Sequence, residues 1–204
     1  MPKIKISIIS TIWLIYLLIS NTPFIIPLIC AIILHECGHL FFALLLKIKI
    51  QSFELSIMSA RIKTYGDLSY IDELIFALGG PLFGLLGFLF TFKFALHNLS
   101  LPIFQNFIFP FSVLSLCLAL FNLIPLASLD GGRILKCLLC LTFSLNFAEK
   151  AIQIVSFLSL FSLWLLSVYM ILKITSGLPM FVFCLIFFSK CFIWGKKSRD
   201  FASF

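Results

Sequence analysis

The chain has 204 residues, of which 62% are hydrophobic and 11% charged, and its mean hydropathy is +1.18. Soluble globular domains are about 45–50% apolar and about 25% charged, so the composition excludes a water-soluble globular protein and indicates an integral membrane protein. The formal charge of +7 is not a nucleic-acid footprint, because the cations gather at segment ends (Lys3, Lys5; Lys47, Lys49; Arg133, Lys136; Lys196, Lys197, Arg199), where they read as topology signals.

A helix needs about 20 apolar residues to cross a bilayer. In chain order the spans predicted on that basis are Ile4–Ser20, Phe24–Leu46, Leu74–Leu96, Phe104–Ile124, Ala151–Leu172 and Leu178–Trp194. The start, "MPKIKISIISTIWLIYLLISNTP", has the basic end and apolar run of a signal peptide. It lacks an A-x-A-like cleavage site and a second apolar segment follows at once, so it reads as a retained first span. "NTP", "HNLSLP" and "TSGLP" punctuate successive spans. Placing Lys3 and Lys5 in the cytoplasm puts Lys47, Lys49, Arg61, Lys63, Arg133, Lys136, Lys150 and the "GKKSRD" tail there too. Lys93 and Lys173 fall at the outer ends of their spans, where snorkelling accommodates them. The expectation is an all-α polytopic membrane protein of about six transmembrane helices with both termini cytoplasmic.

Two stretches depart from simple spans. "KIKIQSFELSIMSARIKTYGDLSYIDE" mixes β-branched, aromatic and polar residues in short alternations, which predicts a short cytoplasmic-side hairpin or strand region closed by a turn at Tyr65-Gly66-Asp67. In "FNLIPLASLDGGRILKCLLCLTFSLNF", Pro125 and Gly131-Gly132 interrupt any helix, which predicts an extended Leu126–Asp130 and a short helix from Gly132 onward. Seven cysteines in mostly apolar runs give no disulfide framework, and Cys137 and Cys140 read as two small apolar residues at i,i+3 of a helix. With no internal repeat or linker, residues 1–204 are expected to form one membrane-embedded domain.

The chemistry sits in the second span, in "ILHECGHLFFALLLK". Ionisable groups in hydrocarbon are costly and mark function. His35 and His39 are four residues apart, so a helix projects both imidazoles from one face, where they can share a metal. Glu36 lies next to that face, placed to take a proton from a metal-bound water, and H-E-x-x-H on a helix is the zinc-protease arrangement for that reason. Two structural histidines hydrogen-bonded to their neighbours are the bland alternative, yet two of the three histidines in the chain are spent on this motif. A catalytic zinc needs a third protein ligand and an open position. His97 falls near the outer mouth of span three, so a carboxylate is expected, and Asp130 is the outstanding candidate: an acid in apolar surroundings, on a break, just before two glycines. As a mere helix N-cap, Asp130 would be explained alone but not together with the histidine motif.

"HECGH" followed by "NLIPLASLDGG", with "ELIFALGGPLFG" between them, resembles the site-2 proteases, the intramembrane zinc metalloproteases. The resemblance runs from about Ile29 to Leu139, with a catalytic core expected over about 24–140. It implies one Zn2+ per chain bound by His35, His39 and Asp130, Glu36 as the catalytic base, and Asn122 holding substrate or the developing oxyanion. Ala127 and Ser128 stand where the family often has prolines, and Gly84 where many members carry an Asn. Within the family the chain resembles the small sporulation branch that processes pro-sigma-K: the loops cannot hold a PDZ domain, although the CBS domain usual in that branch is not expected here either. That implies a pro-sigma factor as substrate in a bacterial cell membrane, the forespore outer membrane in a sporulating cell, with inhibitory membrane proteins as further partners. A membrane-anchored anti-sigma factor or signal-peptide remnant is the alternative substrate. A zinc transporter would show further His, Asp or Glu along other spans, and an inactive scaffold would be expected to lose Glu36 or Asp130 first; neither pattern is present.

Overall fold

The computed structural model describes residues 3–6, 24–48, 50–56, 59–64, 68–98, 100–174 and 184. It is mostly helical. Among the described residues four helices are long and apolar enough to cross a membrane: Ile25–Leu45, Tyr70–His97, Phe104–Asn122 and Leu145–Lys173. The chain divides into two compact units, Met1–Leu123 and Ile124–Phe204.

In the first unit, α1 spans Ile25–Leu45, 21 residues. At 1.5 Å per residue it is about 32 Å long, enough for a hydrocarbon core of about 30 Å. Its end is a Schellman closure. Lys47 takes the left-handed conformation at φ 53°, the Lys47 N–H donates to Leu44 O at 3.1 Å, and the Ile48 N–H reaches Ala43 O at 2.8 Å. The apolar contact that usually accompanies this motif is present, since Ile48 and Leu40 pack on the buried pair Ala43 and Phe76.

Strand β1, Lys3–Ile6, pairs parallel with β2, Ile50–Ser56, which pairs antiparallel with β3, Ser59–Thr64. The sheet order is β1-β2-β3, with a register irregularity between Ile50 and Ser52. The expected span Ile4–Ser20 therefore opens on a strand, because Lys-Ile-Lys-Ile alternates with the two-residue period of a strand. Residues 7–23 and the turn expected at Tyr65-Gly66-Asp67 lie outside the described residues.

Helix α2, Tyr70–His97, begins four residues before the predicted Leu74 because its polar first turn is a cap. Ser69 Oγ accepts the Asp72 N–H at 3.1 Å and donates to Asp72 Oδ2 at 2.8 Å, while Asp72 and Glu73 complement the N-terminal dipole. Pro81 stands inside the helix, where its ring crowds the carbonyl four residues back. A turn of π-helix over Phe104–Ile108 then leads into α3, Phe109–Asn122. The Phe109 N–H reaches Phe104 O, and Pro110 has no N–H with which to continue the ladder there. Helix α3 buries Pro110, Ser112, Ser115 and Ala119.

The second unit opens with a turn. The expectation of an extended Leu126–Asp130 is corrected: Leu126 N–H donates to Ile124 O at 2.7 Å, Leu129 N–H closes a turn onto Leu126 O at 2.9 Å, and Leu129 is extended, at φ −108° and ψ 168°. Asp130 is the first residue of helix α4, Asp130–Thr142. Gly131 and Gly132 thus begin a helix instead of breaking one. The reason is proximity, because a Cβ on Gly132 would strike the carbonyl of Leu126, so glycine lets the new helix tuck against the turn. Helix α5, Leu145–Ile174, contains the whole predicted fifth span. An ion pair, Lys136 Nζ to Glu149 Oε1 at 3.3 Å, links α4 to α5. Apart from residue 184, the sixth predicted span lies outside the described residues.

Candidate metal centre

Helix α1 carries His35 and His39 one turn apart, as the 3.6-residue period requires. Their ring centroids are 5.0 Å apart, and both side chains are buried, at 3% and 5% exposure. Their surroundings come from α2. Gly38 of α1 and Gly79 of α2 meet backbone to backbone, since a Cβ on either would overlap the carbonyl of the other. That contact brings the next residue, Gly80, up to the two imidazoles. A Cβ on Gly80 would collide with the Nε2 of both His35 and His39, so the two nitrogens converge on a strip of backbone bare of side chain.

His39 is also oriented. Its Nδ1 lies 2.9 Å from the carbonyl oxygen of Phe76, one turn before Gly80 on α2. A carbonyl can only accept, so Nδ1 carries a proton, and in the neutral ring Nε2 is then the nitrogen with the free lone pair. This is the backbone version of the outer support that fixes tautomer and ring direction at metal sites. Phe76 is itself buried, at 1% exposure, and its ring lies 5.3 Å from that of His39.

Glu36, next along α1, is partly buried, whereas Cys37 faces outward. Asp130 opens α4 and is buried, at 9% exposure. His35 and His39 belong to the first unit and Asp130 to the second. Asn122 closes α3 half-buried and spends one amide N–H on Leu118 O at 2.9 Å, leaving its second N–H and its carbonyl for other partners.

Of the three expected ligands, His35 and His39 stand together on α1, and Asp130 is the buried first residue of α4. What the sequence reading did not name is the Phe76 carbonyl and the exact part played by Gly80. The only trace of either was the "ALGGP" glycine pair, already set aside as a family segment.

The model of peptidase family M50 matches residues 72–166. Among solved structures, the site-2 protease from Methanocaldococcus jannaschii shares the fold, with a TM-score of 0.63 and 22% identity, over 92% of this chain and 88% of that one. No curated protein matches the chain.

Proposed function

We propose that the chain is a site-2 protease of the peptidase M50 type and that it hydrolyses a peptide bond of a membrane-embedded regulatory protein at a zinc ion held by His35, His39 and Asp130. The observation that carries this reading is H-E-x-x-H on α1 with the Nε2 atoms of His35 and His39 converging on bare Gly80, and the lone acid Asp130 before the glycine pair supplies the third donor. The donor set fits the group: two imidazole nitrogens and one carboxylate are a usual complement for hydrolytic zinc, with a fourth position left for water. The cradle fits as well, because bare Gly80 keeps any side chain away from the two Nε2 atoms.

Bound zinc supplies Lewis-acid polarisation of water and carbonyl. The protein's own residues do the rest. Glu36 accepts the proton released by the attacking water and returns it to the leaving amine. The Phe76 carbonyl holds the His39 ring in the tautomer that presents Nε2. The second amide N–H of Asn122 is available to donate to the substrate carbonyl oxygen as negative charge develops there. A substrate helix must unwind before its carbonyls are accessible, and strands β2 and β3 offer backbone edges to which an unwound segment can add.

The substrate we propose is a pro-sigma factor, cut at or just inside the inner face of a bacterial membrane with both termini of the protease cytoplasmic. The resemblance of "ELSIMSARIKTYGDLSYIDELIFALGGP" to the sporulation branch supports this. Inhibitory membrane proteins are the partners the same reading implies. The test is co-expression of wild type or Glu36→Gln with the host's pro-sigma factor, scored by immunoblot for loss of the propeptide, alongside the zinc content of both purified proteins. Processing by wild type alone, with equal zinc in both, is the expected result. Equal processing by both would remove Glu36 from the mechanism. A zinc-loaded wild type that leaves the pro-sigma factor intact would overturn the proposed substrate and point to an anti-sigma factor or signal-peptide remnant.

A further inference from the structure

Ser156 sits in the middle of α5 and is buried, at 2% exposure. A serine in a membrane helix commonly bonds back to its own helix, as Ser162 does to Leu158 O at 3.0 Å and Ser167 to Trp164 O at 2.7 Å. Ser156 does otherwise. Its Oγ accepts the Ala127 N–H at 2.9 Å and donates to Pro125 O at 3.4 Å, so one hydroxyl bridges the turn that precedes Asp130. The turn then passes its position on. Leu129 N–H is tied to Leu126 O, Arg133 N–H closes the first turn of α4 onto Leu129 O at 3.3 Å, and Gly132 abuts the Leu126 carbonyl. Asp130 lies inside this chain of contacts, and Leu126 at its centre is fully buried. No other side-chain hydroxyl is bonded to the turn among the described residues.

We propose that Ser156 is a positioning residue for Asp130: by fixing both ends of the 125–127 segment it sets where the carboxylate stands, and so how tightly the site takes zinc. This rests on Asp130 being a zinc ligand. Removing the hydroxyl leaves the Ala127 N–H and the Pro125 carbonyl without this partner in an apolar setting, and the turn must move to find others. Residues that orient metal ligands typically change affinity by about 10–100-fold when replaced, so Ser156→Ala is expected to weaken zinc binding within that range.

The experiment is zinc affinity by chelator competition on full-length protein in detergent, for wild type, Ser156→Ala, Ser156→Thr and Ser167→Ala. The expected result is weakened binding for Ser156→Ala, with recovery in Ser156→Thr, which keeps a hydroxyl. Ser167→Ala, which loses an equally buried hydroxyl bonded only within α5, is expected to match wild type. Equal affinity in wild type and Ser156→Ala would overturn the proposal and leave Ser156 a packing residue. A wild type that takes no zinc would instead overturn the metal reading beneath it. A second measurement needs no variant. Coupling between two sites is reciprocal, so loading wild type with zinc is expected to slow hydrogen exchange of the Ala127 amide by about 10-fold, and exchange unchanged by zinc would equally overturn the proposal.

Discussion

Replacing Gly80 with alanine should separate the stability of the protein from its capacity for metal. The added methyl would stand 2.5 Å from His35 Nε2 and 2.6 Å from His35 Cε1, with His39 Nε2 in contact on the other side, so both rings must swing away. For His39 that means giving up the bond from Nδ1 to Phe76 O, a loss of about 1 kcal/mol. Overpacking adds about 1–3 kcal/mol, while alanine for glycine inside a helix returns about 1 kcal/mol. The net, about 1–3 kcal/mol, lies within what a folded domain survives. The proposed metal site should not survive it, because two of its proposed ligands are displaced at once; the loss in zinc affinity should exceed the roughly 100-fold upper end seen for changes behind the ligands. Chelator competition for zinc and thermal unfolding by circular dichroism, on the same detergent-purified sample, check both halves. A Gly80→Ala protein that binds zinc within about threefold of wild type would refute the reasoning, since the two Nε2 atoms could not then converge on this glycine.

Other predictions follow from single contacts. Lys47 holds a left-handed backbone that is strained by about 1–2 kcal/mol for a residue with a Cβ, so Lys47→Gly should raise thermal stability by about 1 kcal/mol with proteolysis unchanged, measured by unfolding in detergent. The pair Lys136–Glu149 is about one-third exposed on each side, so a double-mutant cycle on unfolding should return no more than about 1 kcal/mol of coupling, diminished by salt.

The sequence carried much of this because helical periodicity is a strong constraint. Once "HECGH" lies in an apolar run long enough to be a helix, His35 and His39 must share a face, and nothing tertiary is needed to say so. Asp130 stood out as a candidate for a different reason, as a lone acid in apolar surroundings. What supports them was not legible. The Phe76 carbonyl is present in every residue's backbone and becomes special only when Gly38 and Gly79 let two helices touch. Ser156 is one of several serines in an apolar helix, and its distinctive role depends on which turn α5 meets. The turn before Asp130 went astray because a proline and a glycine pair announce that regular structure stops without saying which way the chain goes. Here three backbone hydrogen bonds decided it, and the glycines served proximity instead of freedom.

The contact between Gly38 and Gly79 has a mechanical meaning as well as a steric one. With each carbonyl lodged where the other helix would carry a Cβ, α1 cannot roll about its axis or advance by a residue without driving one main chain into the other. The two histidines and the Phe76 carbonyl therefore ride on a fused two-helix chassis. Any sliding of α1 on α2 would have to break that contact first, so the two histidines and the carbonyl that orients one of them keep their mutual placement.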